Sequence, residues 1–204
     1  PKAKIGNGTR VGPYSVVGPD VTLGEECNIQ EHVILRGKVT IGHQCQVYPF
    51  AFIGGEPQHW AYKNEATEVV VGDRVTFREY VTVHLGTKAE QGITKVGNDC
   101  GFMAYSHVGH DCVIGNKVII ANAVQLAGHV RVEDSVFMGG ASEVAQRVRI
   151  GQLCYIAGGS TLRKDVPPFS KGKGNEFKIQ GIDNDYLKGW GVTPERISTI
   201  RRIF

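Results

Sequence analysis

The sequence predicts an all-β solenoid, a parallel β-helix of hexapeptide repeats that ends in a C-terminal α-helical tail. Three observations predict it. Apolar residues recur every six positions, at Ile5, Val11, Val17, Leu23, Ile29, Leu35, Ile41, Val47 and Ile53, then at Val71, Phe77 and Val83, and then from Val96 to Leu162. Twelve of these 24 residues are followed directly by glycine. Counting the apolar residue as position zero, position four is small almost throughout, as at Ser15, Cys27, Cys45, Ala51, Ser106, Cys112, Ser142 and Ser160. A six-residue period fits neither a helix nor hairpins; it fits a coil of short strands and turns. Three hexads close one triangular coil, so residues 18 apart stack about 4.8 Å apart.

The elements follow in order. Residues 1–53 form nine unbroken hexads, or three coils, with Pro13, Pro19 and Pro49 at position two, where a turn tolerates a missing N–H. The period breaks over 54–70. A loop of that length inside a repeat is usually functional, and Trp60 and Tyr62 predict that it packs on something. A second break spans 85–95, after His84. Twelve further hexads make four more coils, giving a β-helix over 1–165. At Lys164-Asp165-Val166-Pro167-Pro168 two prolines remove donors and should stop strand addition. The tail, 166–204, contains a helix with Thr193 as N-cap, Pro194 at its first position, and an apolar face of Ile197, Ile200, Ile203 and Phe204. It stops abruptly at Phe204, as a chain that continues further would. The chain also opens inside the repeat at Pro1, without Met, as a trimmed N-terminus would.

Composition excludes several classes. Net charge is +3, too mild to indicate a nucleic-acid partner. The charge is uneven: nine of the basic residues and five of the acidic ones lie from Arg163 onward. Lys164, Lys171, Lys173, Lys178 and Lys188 are therefore candidates for docking an acidic partner. No apolar run approaches the ~20 residues of a membrane span, and no secretion signal is visible, so stable membrane insertion is not expected and a cytoplasmic location is. The five cysteines all occupy the small inward position and form no CxxC pair, which marks them as packing residues.

Chemistry concentrates in Tyr105-Ser106-His107-Val108-Gly109-His110-Asp111. His107 stands at position five and faces solvent or a partner; His110 stands on the turn. Gly128 lies 18 residues beyond His110 and is followed by His129, so the lattice stacks them one coil apart. A histidine beside a carboxylate is a general base if the carboxylate orients its ring. A free Gly128 N–H one coil above would receive the negative charge of an acyl carbonyl. Base plus oxyanion donor, with no Ser or Cys nucleophile in the motif, points to direct acyl transfer to a hydroxyl or amine. A histidine-ligated zinc site, as in trimeric hexad-repeat carbonic anhydrases, is the rival reading of the same histidines. A catalytically dead scaffold is a third.

These residues resemble the UDP-N-acetylglucosamine acyltransferases that begin lipid A synthesis. The resemblance runs from Ile5 through the tail and is carried by Pro57-Gln58-His59, Gly72 to His84, Met103 to Asp111, Leu126-Ala127-Gly128-His129, and Asp165 to Asn175. It implies a left-handed parallel β-helix, a homotrimer, and active sites between subunits. It implies transfer of a (3-hydroxy)fatty acyl chain from acyl carrier protein, where phosphopantetheine holds it and no other cofactor is needed, to the 3-hydroxyl of UDP-N-acetylglucosamine. An N-acyltransferase acting on a 3-amino sugar is the alternative within the family. His110 would be the base, Asp111 its orienting partner and Gly128 the oxyanion donor. His84, Met103, His107, His129, Gln146 and Asn175 would contact substrate, and Gly158 would lie along the acyl groove. Gln58 and His59 would serve a neighbouring subunit's site. Asp183 and Asp185 match an Asn and a Glu that hold the nucleotide. The chain departs from the family's commonest pattern at His59 (usually Asp), Ala61 (Lys), Ala145 and Glu176 (His), and Gly189 and Trp190 (Arg), which bears on nucleotide affinity, acceptor and acyl length.

Overall fold

The structure, a computed structural model, describes residues 2–89 and 91–204. Each of the 24 hexad residues lies in a strand, and successive strands fall in turn on three sheets of eight, ten and eight strands, parallel throughout except for the last strand of the second. The first sheet runs from Lys4–Ile5 to Arg149–Ile150, the second from Arg10–Val11 to Lys178–Ile182, and the third from Val16–Val17 to Thr161–Leu162. Register follows the lattice: Lys95 pairs with Val113 and Val113 with Arg131; His107 pairs with Gln125 and Gln125 with Glu143. The result is a left-handed parallel β-helix of eight coils with a short tail.

The alternation of a strand directs positions zero and four inward. Leu35, Val47, Ile53, Phe77, Val83, Phe102, Val108, Ile120, Leu126, Met138, Ile150, Ile156 and Leu162 are fully buried. The position-four Cys112, Ser106, Ser142 and Ser160 are buried with them. Ile5 and Val11 are about half exposed because the first coil has a neighbour on one side only. All five cysteines are buried and free. Burial pushes the Cys100 thiol up to about 11 and those of Cys112 and Cys154 up to about 12. These three thiols stay protonated, as packing residues should, whereas a hydrogen bond with Cys45 holds the Cys27 thiol below its usual range.

The turns carry a regularity that the period did not announce. Position three takes a positive φ in turn after turn: Tyr14 (61°), His32 (57°), Phe50 (65°), Tyr80 (60°), Tyr105 (64°), Asp111 (59°) and His129 (64°). This left-handed residue closes the sharp corner between sheets. It also lines up side chains, so Tyr14, His32, Phe50, Tyr80 and Tyr105 stack with ring centroids 4.9 to 5.1 Å apart.

Three expectations are corrected. The two breaks shrink to 56–67 and 85–92, because Glu68–Val71 pairs in full with Lys38–Ile41, and Ile93–Val96 with Glu68–Val71. The prolines do not stop the sheet at 165: Val166 bridges Ile150, and Ser170–Lys173 adds to Tyr155–Ile156 and folds back on Lys178–Ile182. Pro167 and Pro168 occupy the turn, where no ladder donor is needed, and pairing resumes beyond them. The tail then holds two helices, α1 (Asn184–Gly189), capped by Asp183, and α2 (Pro194–Arg201), capped by Thr193 with Pro194 first, as expected. Of the anticipated apolar face only Ile197 is buried; Ile203 and Phe204 are exposed, since a helix this short and polar docks through one turn.

Candidate active site

Both insertions leave the same edge, where the third sheet turns into the first. On that edge the stacked turns hold Gly55, His84, His110, Gly128 and Gln146 in successive coils. His84, His110, Gly128 and Gln146 line, with Gln58, His107, Glu143 and Arg163, one cleft of about 460 Å³. Five histidines meet here. His110 makes edge contacts with His129 (4.8 Å between centroids) and His59 (5.2 Å), and His84 with His107 (4.7 Å).

The His110 ring is held from one side. Its Nδ1 lies 2.9 Å from Asp111 Oδ2, and both groups are buried. Thr87 from the second insertion donates its backbone N–H to Asp111 Oδ1 (2.9 Å) and its hydroxyl to Oδ2 (2.6 Å). The Asp111 N–H donates to Thr94 Oγ1 at 2.8 Å. Burial works against the Asp111 charge, but hydrogen bonds from His110 and Thr87 outweigh it and hold the carboxyl below its usual range. An ionised acceptor assigns the proton of neutral His110 to Nδ1 and leaves Nε2 basic. Asp111 needs no special strain for this, because its positive φ belongs to the ordinary turn.

Gly128 completes the geometry. A Cβ there would fall 2.5 Å from both Cε1 and Nε2 of His110, so the ring lies flat against this glycine. The ladder on either side uses Ala127 N–H to Val144 O and His129 N–H to His110 O. The Gly128 N–H takes no backbone acceptor among the described residues. A lone pair that removes a proton and an N–H that receives negative charge thus border one small space.

His110, Asp111 and His129 lie close enough to be considered as metal ligands. The donor set argues otherwise: Asp111 already receives three hydrogen bonds, two from Thr87 and one from His110. The zinc reading is not favoured by this arrangement.

Comparisons with known proteins point to one family. A profile described as "Bacterial transferase hexapeptide (six repeats)" matches residues 2–37 and 93–128. An acyl-[acyl-carrier-protein]--UDP-N-acetylglucosamine O-acyltransferase of Herminiimonas arsenicoxydans is 42% identical over 202 residues, 99% of this chain and 77% of that protein. One from Thermodesulfovibrio yellowstonii is 41% identical over 204 residues, all of this chain and 79% of that protein. The crystal structure of Francisella novicida UDP-N-acetylglucosamine acyltransferase superposes with a TM-score of 0.97 at 36% identity, over 99% of this chain and 74% of the other. The chain belongs to the acyl-[acyl-carrier-protein]--UDP-N-acetylglucosamine O-acyltransferase family.

For this family member the fold sorts the expected site residues into two groups. His110, Asp111, Gly128, Gln58, His59, His84, His107, His129 and Gln146 come together at one edge. Met103, Gly158 and Asn175 do not: Met103 and Gly158 stand at the corner between the second and third sheets, and Asn175 in the tail hairpin. Asp183 caps α1, accepting from Tyr186 N–H, and pairs with Lys171 at 2.8 Å, while Asp185 is exposed. Lys171 is therefore not a free docking lysine.

The loop carrying Gln58 and His59 reaches its own chain's His110 rather than only a neighbour's site. It springs from Phe52–Gly55, which lies in the same sheet as His107 and two coils below, and rises along that edge. Tyr62 is half buried there, but Trp60 is fully exposed. His107 does not simply face outward; its Nδ1 lies 2.7 Å from Thr82 Oγ1. Thr87 and Thr94 were not anticipated. Thr87 lies inside a break in the repeat, where periodicity assigns no direction.

Two measurements test this geometry. Thr87→Val should lower kcat/KM by about tenfold, by loosening the carboxylate that orients His110, and should also lower the melting temperature by several degrees, since a hydrogen bond to a charged group contributes about 1.5–3 kcal/mol. The second concerns acid. Burial, then the neighbouring His107 and His110, lower the His84 pKa to about 4. Unfolded His84 takes a proton near 6.5, so the unfolded state binds more protons between those values. The stability His84 contributes is present above pH 6.5 and lost as pH falls towards 4, amounting to about 2 kcal/mol at pH 5. Urea unfolding of His84→Gln should show a shallower decline from pH 7 to pH 5 than the parent.

Proposed function

We propose that this chain transfers an acyl group, a 3-hydroxyacyl chain, from acyl carrier protein to the 3-hydroxyl of UDP-N-acetylglucosamine, the first step of lipid A synthesis. The observation that carries the reading is the His110–Asp111 pair lying against Gly128, with family membership beside it. His110 Nε2 removes the proton of the acceptor hydroxyl as its oxygen attacks the thioester carbonyl. The Gly128 N–H receives the charge that develops on the carbonyl oxygen. Collapse of the tetrahedral intermediate breaks the C–S bond, and the imidazolium returns its proton to the departing thiolate. The donor's phosphopantetheine supplies the thioester, so the chemistry requires no other cofactor.

A homotrimer is part of this proposal. Met103, Gly158, Asn175, Asp183 and Asp185 lie away from His110 within one chain, so a neighbouring copy would have to bring them to the cleft. Among the described residues no helix is long and apolar enough to cross a membrane, which is compatible with the cytoplasmic enzyme proposed. In this proposal the exposed Lys164, Lys173 and Lys178 are the docking surface for an acidic carrier protein, whereas Lys188 already lies 3.8 Å from Asp185.

The deciding experiment is an assay with acyl carrier protein donors of several chain lengths against UDP-sugars bearing a 3-hydroxyl or a 3-amino group. Turnover of UDP-N-acetylglucosamine is expected. Turnover of the 3-amino sugar alone would reassign the acceptor, and no turnover of either would overturn the reading. Light scattering should return about three times the 22.2 kDa chain mass.

A further inference from the structure

The first insertion brings a histidine to the open side of the catalytic base. The His59 ring stands 5.2 Å from that of His110 at an interplanar angle of 74°. Its position is determined by a tight turn: the His59 N–H donates to Pro57 O at 2.8 Å, and the Tyr62 N–H to His59 O at 2.9 Å. The Ala61 N–H points to His59 Nδ1 at 3.3 Å. That nitrogen is therefore the acceptor, and neutral His59 carries its proton on Nε2.

The surroundings of His110 give this histidine its consequence. From its own turn His110 faces Asp111; from the coil above, His129; from the coil below, His84; and from its own strand, His107. Thr87, from the second insertion, reaches it only through Asp111. Glu143 and Arg163 also line the cleft, with opposite charges. Asp111 is thus the one carboxylate in contact with the ring among the described residues, and Thr87 and Thr94 hold it on the inner side. On the outer side the charge beside the base is decided by residue 59. A carboxylate there would favour the imidazolium of His110. An imidazole is neutral at neutral pH and becomes cationic in acid, where a second positive charge opposes protonation of the first.

We propose that His59 is a positioning residue that keeps His110 in its basic form as pH falls, extending acyl transfer to lower pH than a carboxylate at this position would allow. The mechanistic part rests on the acyl-transfer reading; the electrostatic part does not.

The test compares the parent with His59→Gln and His59→Asp. The acid limb of kcat/KM, which reports the loss of neutral His110, should lie lowest for the parent. It should move up for His59→Gln, which removes the opposing cation, and further up for His59→Asp, by about one pH unit relative to the parent given a charge some 5 Å away in a partly solvated cleft. Histidine-labelled NMR, following the His110 Cε1–H resonance through a pH titration, should give the same order without any substrate. Superimposable His110 titrations in the three proteins, or a downward shift in His59→Asp, would overturn the proposal. Ordered NMR titrations in a protein without turnover would overturn the acyl-transfer reading and leave the electrostatic one standing. Unchanged thermal unfolding of both variants is expected for an exposed loop residue. A variant that unfolds is replaced by His59→Asn, which is read against the same order.

Discussion

His110→Ala is expected to lower kcat/KM for the acyl-carrier-protein donor by at least a hundredfold, and by as much as about 10⁴-fold, the range over which a positioned general base acts. The loss should fall on kcat, because in the proposed mechanism Nε2 acts on a proton that moves only in the reaction, and binding of the UDP-sugar should change little. The fold has small reason to suffer. His110 sits at position two of a turn in which its carbonyl accepts from the His129 N–H at 2.8 Å, while Asp111 is held independently by Thr87 and Thr94. Alanine keeps that carbonyl. A near-normal rate with the parent's melting temperature would remove His110 from the mechanism, and with it the direction assigned to the proton. Asp111→Asn is the companion experiment. It keeps the shape but allows the wrong ring nitrogen to carry the proton, so its loss should approach that of His110→Ala.

Gly128→Ala is expected to cost about a hundredfold or more in kcat from a single methyl group. That methyl would fall 2.5 Å from Cε1 and Nε2 of His110 and 3.0 Å from Nδ1. The ring has to swing away, which breaks its alignment with Asp111 and moves Nε2 off the reacting hydroxyl; a displacement of about 1 Å is enough for such a loss. The backbone at Gly128 is not in the left-handed region, so alanine is conformationally tolerated there. What must give way is a side chain and not the coil, so thermal unfolding should change little. Gly109→Ala makes the contrast: its Cβ would meet Leu126 O at 2.8 Å and Gly128 N at 2.9 Å. It should destabilise the coil itself and lower activity only as a consequence. Kinetics within twofold of the parent for Gly128→Ala would contradict the close stacking on which the oxyanion assignment depends.

The solenoid was legible because its information is periodic. An apolar residue every six positions, a small one two before it and a turn between determine which side chains point inward. The same period places His110 one coil below Gly128 and His129 without reference to any other contact. That arithmetic succeeded for all eight coils and for the packing role of Cys27, Cys45, Cys100, Cys112 and Cys154. It failed where the period stops. In the two insertions no lattice assigns a direction, so Thr87 could not be linked to Asp111, nor His59 placed against its own chain's His110. Both contacts arise because the insertions leave the same edge of the prism, a property of the stacked coils that neither loop carries alone. The tail shows the same limit: Pro167 and Pro168 mark a turn, but whether pairing resumes after it depended on a free sheet edge at Tyr155–Ile156. Local sequence thus determined the repeat, its core and the turn that carries the candidate base. Tertiary structure decided what surrounds that turn, because contacts between non-repeating segments are set by where the rigid scaffold delivers them.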